Sequence, residues 1–289
     1  MANANRTKPA CIVRLDRLLL VASGPSRSVP RIEGYTVIRD IFVRRQTTMA
    51  TYARSRELRS PSGTKIYWQY QKQKGWLAPW RITFVPDDRR GLRRGDLDAI
   101  IARCKSYHLL LVEIAFDFDT TAMSRDFVRR HALFGKCRFR NTAAGGVRYY
   151  GARKSNKLVR CYLKSATNGY RIELELHSGF LRAHDILKAS QLMKLAAILV
   201  PKHIRFAQMN WGVLRPYLIR KFGNGTGMAT FREARRRRKS LHKLCGFLRR
   251  KGIRNVRRFL RPLKLNRTLR DALDIWKTKI SPDVRWTRL

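Results

Sequence analysis

The chain has 289 residues, of which 64 are Lys or Arg and 19 are Asp or Glu, giving a net charge of +45 and a sequence pI of about 11.5. Self-repulsion of that size opposes compact folding unless a polyanion neutralises it, and phosphate backbones do so with release of counterions. An anionic membrane surface would ask instead for one amphipathic helix or a short polybasic segment. A disordered basic tail is excluded as well, because 44% of the residues are hydrophobic, including 6 Trp, 10 Tyr and 13 Phe.

The longest strongly apolar run, Leu195 to Val200, is too short to span a bilayer. Met1 to Pro9 lacks the apolar region and cleavage site of a signal peptide. Cys11, Cys104, Cys137, Cys161 and Cys245 are scattered with no CxxC pair, which reads as buried reduced thiols in a cytosolic protein. Charge and pattern divide the chain near residue 182. Residues 1–190 hold 37 basic and 15 acidic residues, while 191–289 hold 27 and 4. The expected organisation is a basic N-terminal segment (1–60), an α+β domain (61–182) and a basic helical region (183–289).

In chain order, Lys65–Tyr70 and Trp80–Val85 are rich in aromatic and β-branched residues and flank a Gly75 and Pro79 connection, as in a hairpin. Leu97, Ile100, Ile101 and Cys104 recur at helical spacing across Leu97–Tyr107. Leu109–Phe118 is the strongest strand expectation. Val147–Tyr150, Leu158–Leu163 and Tyr170–His177 follow as further strands. Strands with one intervening helix suggest a mainly antiparallel sheet with packed helices, an α+β fold. Then comes an apolar helix over about Leu181–Val200. Helical spacing continues through Leu241, Leu244, Leu248, Ile253, Val256, Leu260, Leu269, Leu273 and Trp276, with Thr268 to Asp271 as a capping box. From Arg232 to Arg270 there are 17 basic residues and one acid, centred on Arg235, Arg236, Arg237, Arg238 and Lys239. A solvated helix face would interleave acids with the bases, so this run reads as phosphate-tracking.

Acids are scarce, and they cluster. Strand alternation puts Glu113, Asp117 and Asp119 on one face of the first strong strand. It likewise puts Arg171, Glu173 and Glu175 together on Tyr170–His177. If the two strands are neighbours, three to five carboxylates converge, and their oxygen donors suit Mg²⁺ or Mn²⁺. A metal held there beside bound nucleic acid would polarise a phosphoryl oxygen. On spacing alone, the carboxylates pairing with surplus Arg and Lys is an equal reading. Between these strands lie Arg148-Tyr-Tyr-Gly-Ala-Arg-Lys-Ser-Asn156 and Val159-Arg-Cys-Tyr-Leu-Lys164. A tyrosine flanked by cations can attack a phosphodiester, its phenolate stabilised by neighbouring charge. Tyr149 and Tyr150 point to opposite faces, so one of them alone can meet the site. The six histidines form no His-x-His pair; His177 alone lies near the acids. Gly223 to Gly227 lacks the lysine of a phosphate loop and reads as a helix stop and linker.

The order of acidic strand, Tyr-Tyr-Gly-Ala-Arg-Lys-Ser, Arg-Cys-Tyr-Leu-Lys and Tyr-Arg-Ile-Glu-Leu-Glu-Leu resembles the replication initiators of small rolling-circle plasmids and filamentous phages, over about residues 64–182. The resemblance implies a nicking and rejoining enzyme. A tyrosine becomes joined to the 5′ phosphate of origin DNA, and a 3′ hydroxyl is left for a polymerase. By position, Tyr162 is the first choice of nucleophile and Tyr149 the second. Glu113, Asp117 and Glu173 would hold Mg²⁺ or Mn²⁺, with Arg153, Lys154 and Lys164 on phosphate. The implied partners are single-stranded or extruded origin DNA, a host helicase and a second copy of the chain, in the cytoplasm of a bacterial host and with no membrane. The chain departs from the family pattern at Leu163, where an acid is usual, and at Glu113, where Asp is usual. Two other readings stand beside this one. The first is a non-enzymatic DNA- or RNA-binding protein with Trp68 and Tyr70 as stacking platforms. The second is a metal-dependent nuclease without a covalent intermediate.

Overall fold

The computed structural model describes residues 11–24, 29–42, 52–87, 91–119, 123–134, 139–141, 146–151, 155–164 and 169–280. The first half supplies β1 (Cys11–Ser23), β2 (Thr36–Phe42), β3 (Tyr52–Arg59), β4 (Lys65–Lys72), β5 (Trp80–Val85), α1 (Arg94–Ile101), β6 (Ser106–Asp119), α2 (Arg125–His131) and β7 (Ala132–Phe134). Next come β8 (Phe139–Asn141), β9 (Arg148–Tyr150), β10 (Lys157–Lys164), β11 (Gly169–His177), α3 (Ser178–Ala183) and α4 (Lys194–Ile198). The remainder gives β12 (Ile204–Met209), α5 (Trp211–Phe222), α6 (Asn224–Arg236), α7 (Leu241–Arg250), β13 (Leu260–Pro262) and α8 (Leu265–Ile280).

Ten strands form one sheet in the order β2-β3-β4-β5-β1-β6-β11-β10-β9-β8, with antiparallel neighbours. The fold is α+β with an antiparallel sheet, as the strand and helix patterns indicate. Alternation explains its one-sided burial. In β1, Cys11, Val13 and Leu15 are buried while Ile12 and Arg14 are half-buried; in β4, Ile66, Trp68 and Tyr70 are buried between exposed or half-buried residues. The buried face carries Leu18, Trp80, Phe84, Phe116 and Ile172, and it packs against α3, α4 and α8 through Leu181, Leu195, Leu269, Leu273 and Trp276. The other face carries most of the charged strand residues.

A second core lies among α5, α6 and α7, built from Leu214, Leu218, Phe231, Leu244, Leu248 and Phe259. A three-stranded sheet, β13-β12-β7, links it to the first. Gly223, at φ 78°, ends α5 and turns the chain into α6, so the glycine stretch is a helix stop as expected. It is not a linker, however, since Asn224 already begins α6. Gly227 lets the two helices touch: a Cβ there would lie 2.6 Å from Ile219 Cα and from Leu218 O.

Several expectations change. Residues 11–59, set apart in the sequence as a basic segment, supply β1, β2 and β3, and β1 sits in mid-sheet. The apolar helix over 181–200 is broken into α3, a 3-10 turn at Ala189–Gln191 and α4, because Asp185 takes positive φ after α3. α1 ends at Ile101, short of Tyr107, and β6 starts at Ser106. Thr268 and Asp271 lie inside α8, which begins at Leu265, so they form no cap. Side-chain caps do occur at Ser124, whose hydroxyl accepts from Phe127 N, and at Ser240, which accepts from Lys243 N. Ile253 lies in the connection after α7, Val256 in a 3-10 turn (Val256–Phe259) and Leu260 in β13, instead of one continuous helix. Trp68 and Tyr70 are core residues, 0% and 3% exposed, and cannot be stacking platforms. Among the described residues no helix is long and apolar enough to cross a membrane.

Candidate functional site

β6 and β11 are neighbours, so the acids do converge. Glu113 stands opposite Glu175, Ala115 opposite Glu173 and Asp117 opposite Arg171. On the far side of β11, Arg160 stands opposite Glu173 and Tyr162 opposite Arg171. Tyr149 of β9 stands opposite Arg160. Directly paired residues share a face, so Tyr149, Arg160, Tyr162, Glu173, Arg171, Glu113 and Asp117 project from one side of the sheet. Tyr150 points the other way, 2% exposed, its pKa pushed up to about 12 mainly by burial.

Asp16 joins them through a bulge. The β1–β6 register slips between Leu15 and Arg17, and the extra residue is Asp16. A bulge re-aims a side chain in this way. Single carboxylate oxygens of Asp16, Glu113 and Glu173 lie within 4.8 Å of one another. The sequence-derived metal set named Asp117 where the structure brings in Asp16. Asp117 is occupied elsewhere, its two oxygens taking Arg171 Nε at 2.5 Å and Nη2 at 2.8 Å, with Arg14 Nε at 3.3 Å.

Each carboxylate has a guanidinium. Arg160 pairs with Glu113 and reaches Glu173 Oε2 at 2.9 Å. Arg17 lies 3.5 Å from Glu113, and Arg171 Nη1 lies 3.0 Å from Asp16 and 3.5 Å from Glu173. Four carboxylates (Asp16, Glu113, Asp117, Glu173) thus meet four arginines (Arg14, Arg17, Arg160, Arg171), and the local charge closes without any ion. This is the pairing alternative that spacing alone left open. Glu113 is fully buried and Glu173 and Arg171 are each 2% exposed, so the network is a costly one to break. Burial by itself would lower the Arg171 pKa, but its bonds to Asp117 and the charge of Asp16 raise it instead.

The carboxylates also suit a hard divalent cation in donor type and spacing. Neither Glu113 oxygen, nor Glu173 Oε2, has a directional hydrogen bond; charge alone holds them. In this structure Arg160 spans those two residues, so a cation bound by both would displace its guanidinium.

The Tyr162 hydroxyl donates to Glu173 Oε1. Burial, that hydrogen bond and the Glu173 charge all raise the phenol's pKa, and Arg171 opposes them without prevailing. This corrects the expectation that adjacent cations stabilise a phenolate, because the nearest charge to the hydroxyl is a carboxylate. Glu173 is in turn oriented by Arg160 and Arg171. The three groups therefore have the layout of a nucleophile, a base and the residues that orient the base.

Lys164 shares the tyrosine face of β10, opposite Gly169. Arg153 and Lys154 lie outside the described residues. In the basic run, Arg237 is bound within the fold, pairing with Glu233 at 2.5 Å and lying over the Phe247 ring at 5.0 Å. Arg235, Arg236, Arg238 and Lys239 are exposed. Arg238 and Lys239 line a cleft of about 760 Å³ with Arg129, Arg130 and Arg261. Sequence reasoning missed Asp16, Arg14 and Arg17, although Cys11-Ile-Val-Arg-Leu does alternate like a strand; it also gave Arg160 no role.

No family model matches the chain, and no curated protein matches it. Among solved structures the chain is similar to the rolling circle replication initiator protein from Geobacillus stearothermophilus. Identity is 15%, 68% of this chain and 87% of that chain are covered, and the TM-score is 0.42. A likeness that slight decides nothing about chemistry. What the fold and the site define is an α+β protein, strongly basic, with a tyrosine-carboxylate-arginine network on the polar face of its sheet.

Proposed function

We propose that the protein is a replication initiator that nicks and rejoins DNA through Tyr162. The observation that carries the reading is the Tyr162 hydroxyl bonded to Glu173 between Arg160 and Arg171, on the polar sheet face of a chain with net charge +45. Glu173 takes the phenolic proton as the oxygen attacks phosphorus. The P–O3′ bond breaks, the 5′ phosphate stays on Tyr162, and the 3′ oxygen leaves as a hydroxyl after taking a proton from water or from Glu173. Arg160, partly exposed, would face a phosphoryl oxygen while the buried Arg171 holds Glu173 in place, and Lys164 and the exposed cations of 235–239 would hold the strand on either side. A Mg²⁺ or Mn²⁺ ion held by Asp16, Glu113 and Glu173 would add charge stabilisation at the phosphoryl group. Rejoining is the reverse reaction. In this reading the partner is origin DNA in a bacterial cytoplasm, Tyr149 beside Arg160 is the second candidate nucleophile, and a host helicase and a second copy of the chain are further partners to test.

Purified protein incubated with Mn²⁺ and supercoiled or single-stranded origin DNA should yield protein-linked nicked product. Tyr162→Phe should abolish it, and Tyr149→Phe should leave it. Intact DNA across metals and candidate origins would end the enzymatic reading.

The closed charge balance of the network favours a second reading, in which the same face is a rigid, non-cleaving nucleic-acid platform. It predicts salt-sensitive binding with no covalent product, and retained binding in Tyr162→Phe.

A further inference from the structure

A pocket of about 670 Å³ opens on the side of the sheet away from the tyrosine network, between the β9–β10 turn, α3, the entry to β12 and α7. Among the described residues its walls carry Lys157, Lys202, Arg205, Arg249 and Arg257 and no carboxylate. Leu133, Phe134, Phe180, Val256 and Leu260 give the lining an apolar part, and Ser155, Asn156, His203, His242 and Cys245 complete it. Five cations converging on a cleft with low-dielectric walls focus a positive field that an anion relieves. The apolar wall asks for more than a bare anion, and the volume lies within the range of small-ligand sites.

We propose that this pocket binds a nucleotide, its phosphate among the five cations and its base along the apolar side, beside the half-buried Leu133. The site is separate from the nicking reading and does not depend on it. Asn156 supplies an amide at the rim. Its side chain is seated on Gly179, where a Cβ would fall 2.2 Å from Asn156 Oδ1, so the glycine makes room for the amide. An amide presents both a donor and an acceptor, as base edges require. Two histidines, His203 and His242, stand in the pocket wall. Lys157 Nζ lies 3.0 Å from His203 Nδ1, and His242 Nε2 accepts from Phe134 N. Both imidazoles are pushed down to about 4, chiefly by burial, with Lys157, His184 and Lys202 acting on His203 and Arg249 on His242. A phosphate seated beside them should draw both back up.

The test is a histidine NMR titration of the full chain with inorganic phosphate, dTMP, dAMP and a short oligo-dT, alongside calorimetry. The triple variant Arg205→Gln, Arg249→Gln, Arg257→Gln is compared with Arg215→Gln, Arg267→Gln, Arg270→Gln, which removes the same charge from exposed positions elsewhere. Expected are a raised His203 pKa on ligand binding and at least tenfold weaker mononucleotide binding in the pocket variant, against less than twofold in the control. Asn156→Ala should weaken mononucleotide but not phosphate binding. A response to free mononucleotides supports a soluble ligand, and a response to oligo-dT alone supports a nucleotide within a strand. Equal losses in the two triple variants, or phosphate binding as tightly as dTMP, would overturn the proposal. Loss of covalent nicking plays no part in this readout, so the two proposals fail separately.

Discussion

The polar sheet face and the helical lobe hold their arginines in opposite ways. On the sheet, Arg14, Arg17, Arg160 and Arg171 are matched one for one by carboxylates, and Glu113, Glu173 and Arg171 among these groups are buried. In the lobe, the exposed cations of 235–239 share the single acid Glu233, and Lys202, Arg205, Arg249 and Arg257 have no ion pair among the described residues. Paired charge in a low-dielectric setting fixes geometry, and removing one partner leaves the other stranded. Unpaired charge in solvent adds little to stability but remains available to a polyanion. The sheet thus offers a rigid constellation, and the lobe offers a field.

Cutting the network at its most connected point tests this contrast hardest. Arg171→Met should destabilise the fold by about 3–5 kcal/mol in denaturant titration, because Asp117 and Asp16 lose their shared partner. Loss of less than about 1 kcal/mol would make the network ornamental.

The lobe has its own buried titration. His242 has a folded pKa of about 4 against an ordinary 6.5, so the unfolded chain protonates first. Stability should be full well above pH 6.5, and roughly 3 kcal/mol should be lost as pH falls from 6.5 to 4. The measurement is thermal unfolding against pH, with His242→Gln flattening that part of the profile.

Packing between α5 and α6 sets the next scale. Gly227→Ala should cost about 1–3 kcal/mol, since the new methyl meets the Ile219 backbone. Tyr162→Phe removes one hydrogen bond to Glu173 and should cost about 1 kcal/mol while abolishing any covalent DNA product. The smallest effect on stability belongs to the exposed run: Arg235, Arg236, Arg238 and Lys239 changed together to Gln should shift it by less than about 0.5 kcal/mol. The same variant should lower the slope of log affinity against log salt by about 3. A large stability change there would mean that the run is part of the core.

Legibility tracked local pattern. Period-two alternation in 109–118 and 170–177 exposed both acidic strands and the side their acids take, and Gly223 marked a helix end. Glu113 and Glu173 were legible for that reason. Asp16 was not, because its place depends on a bulge and on a pairing nearly 100 residues away in sequence. The helix expected over 181–200 failed because an apolar run cannot show the turn at Asp185 that folds it onto the sheet.

The sequence by itself determined that the chain carries a large unneutralised charge, that it can still bury a core, and that its fold is α+β. Those are properties of composition and of short-range periodicity. Only the tertiary structure decided which arginine meets which acid, that Tyr162 donates to Glu173 instead of resting as a phenolate, and that five cations line one pocket with no acid among the described residues. Such matters depend on strand order and packing, which bring distant residues within a few ångströms, where charge and burial set their chemistry.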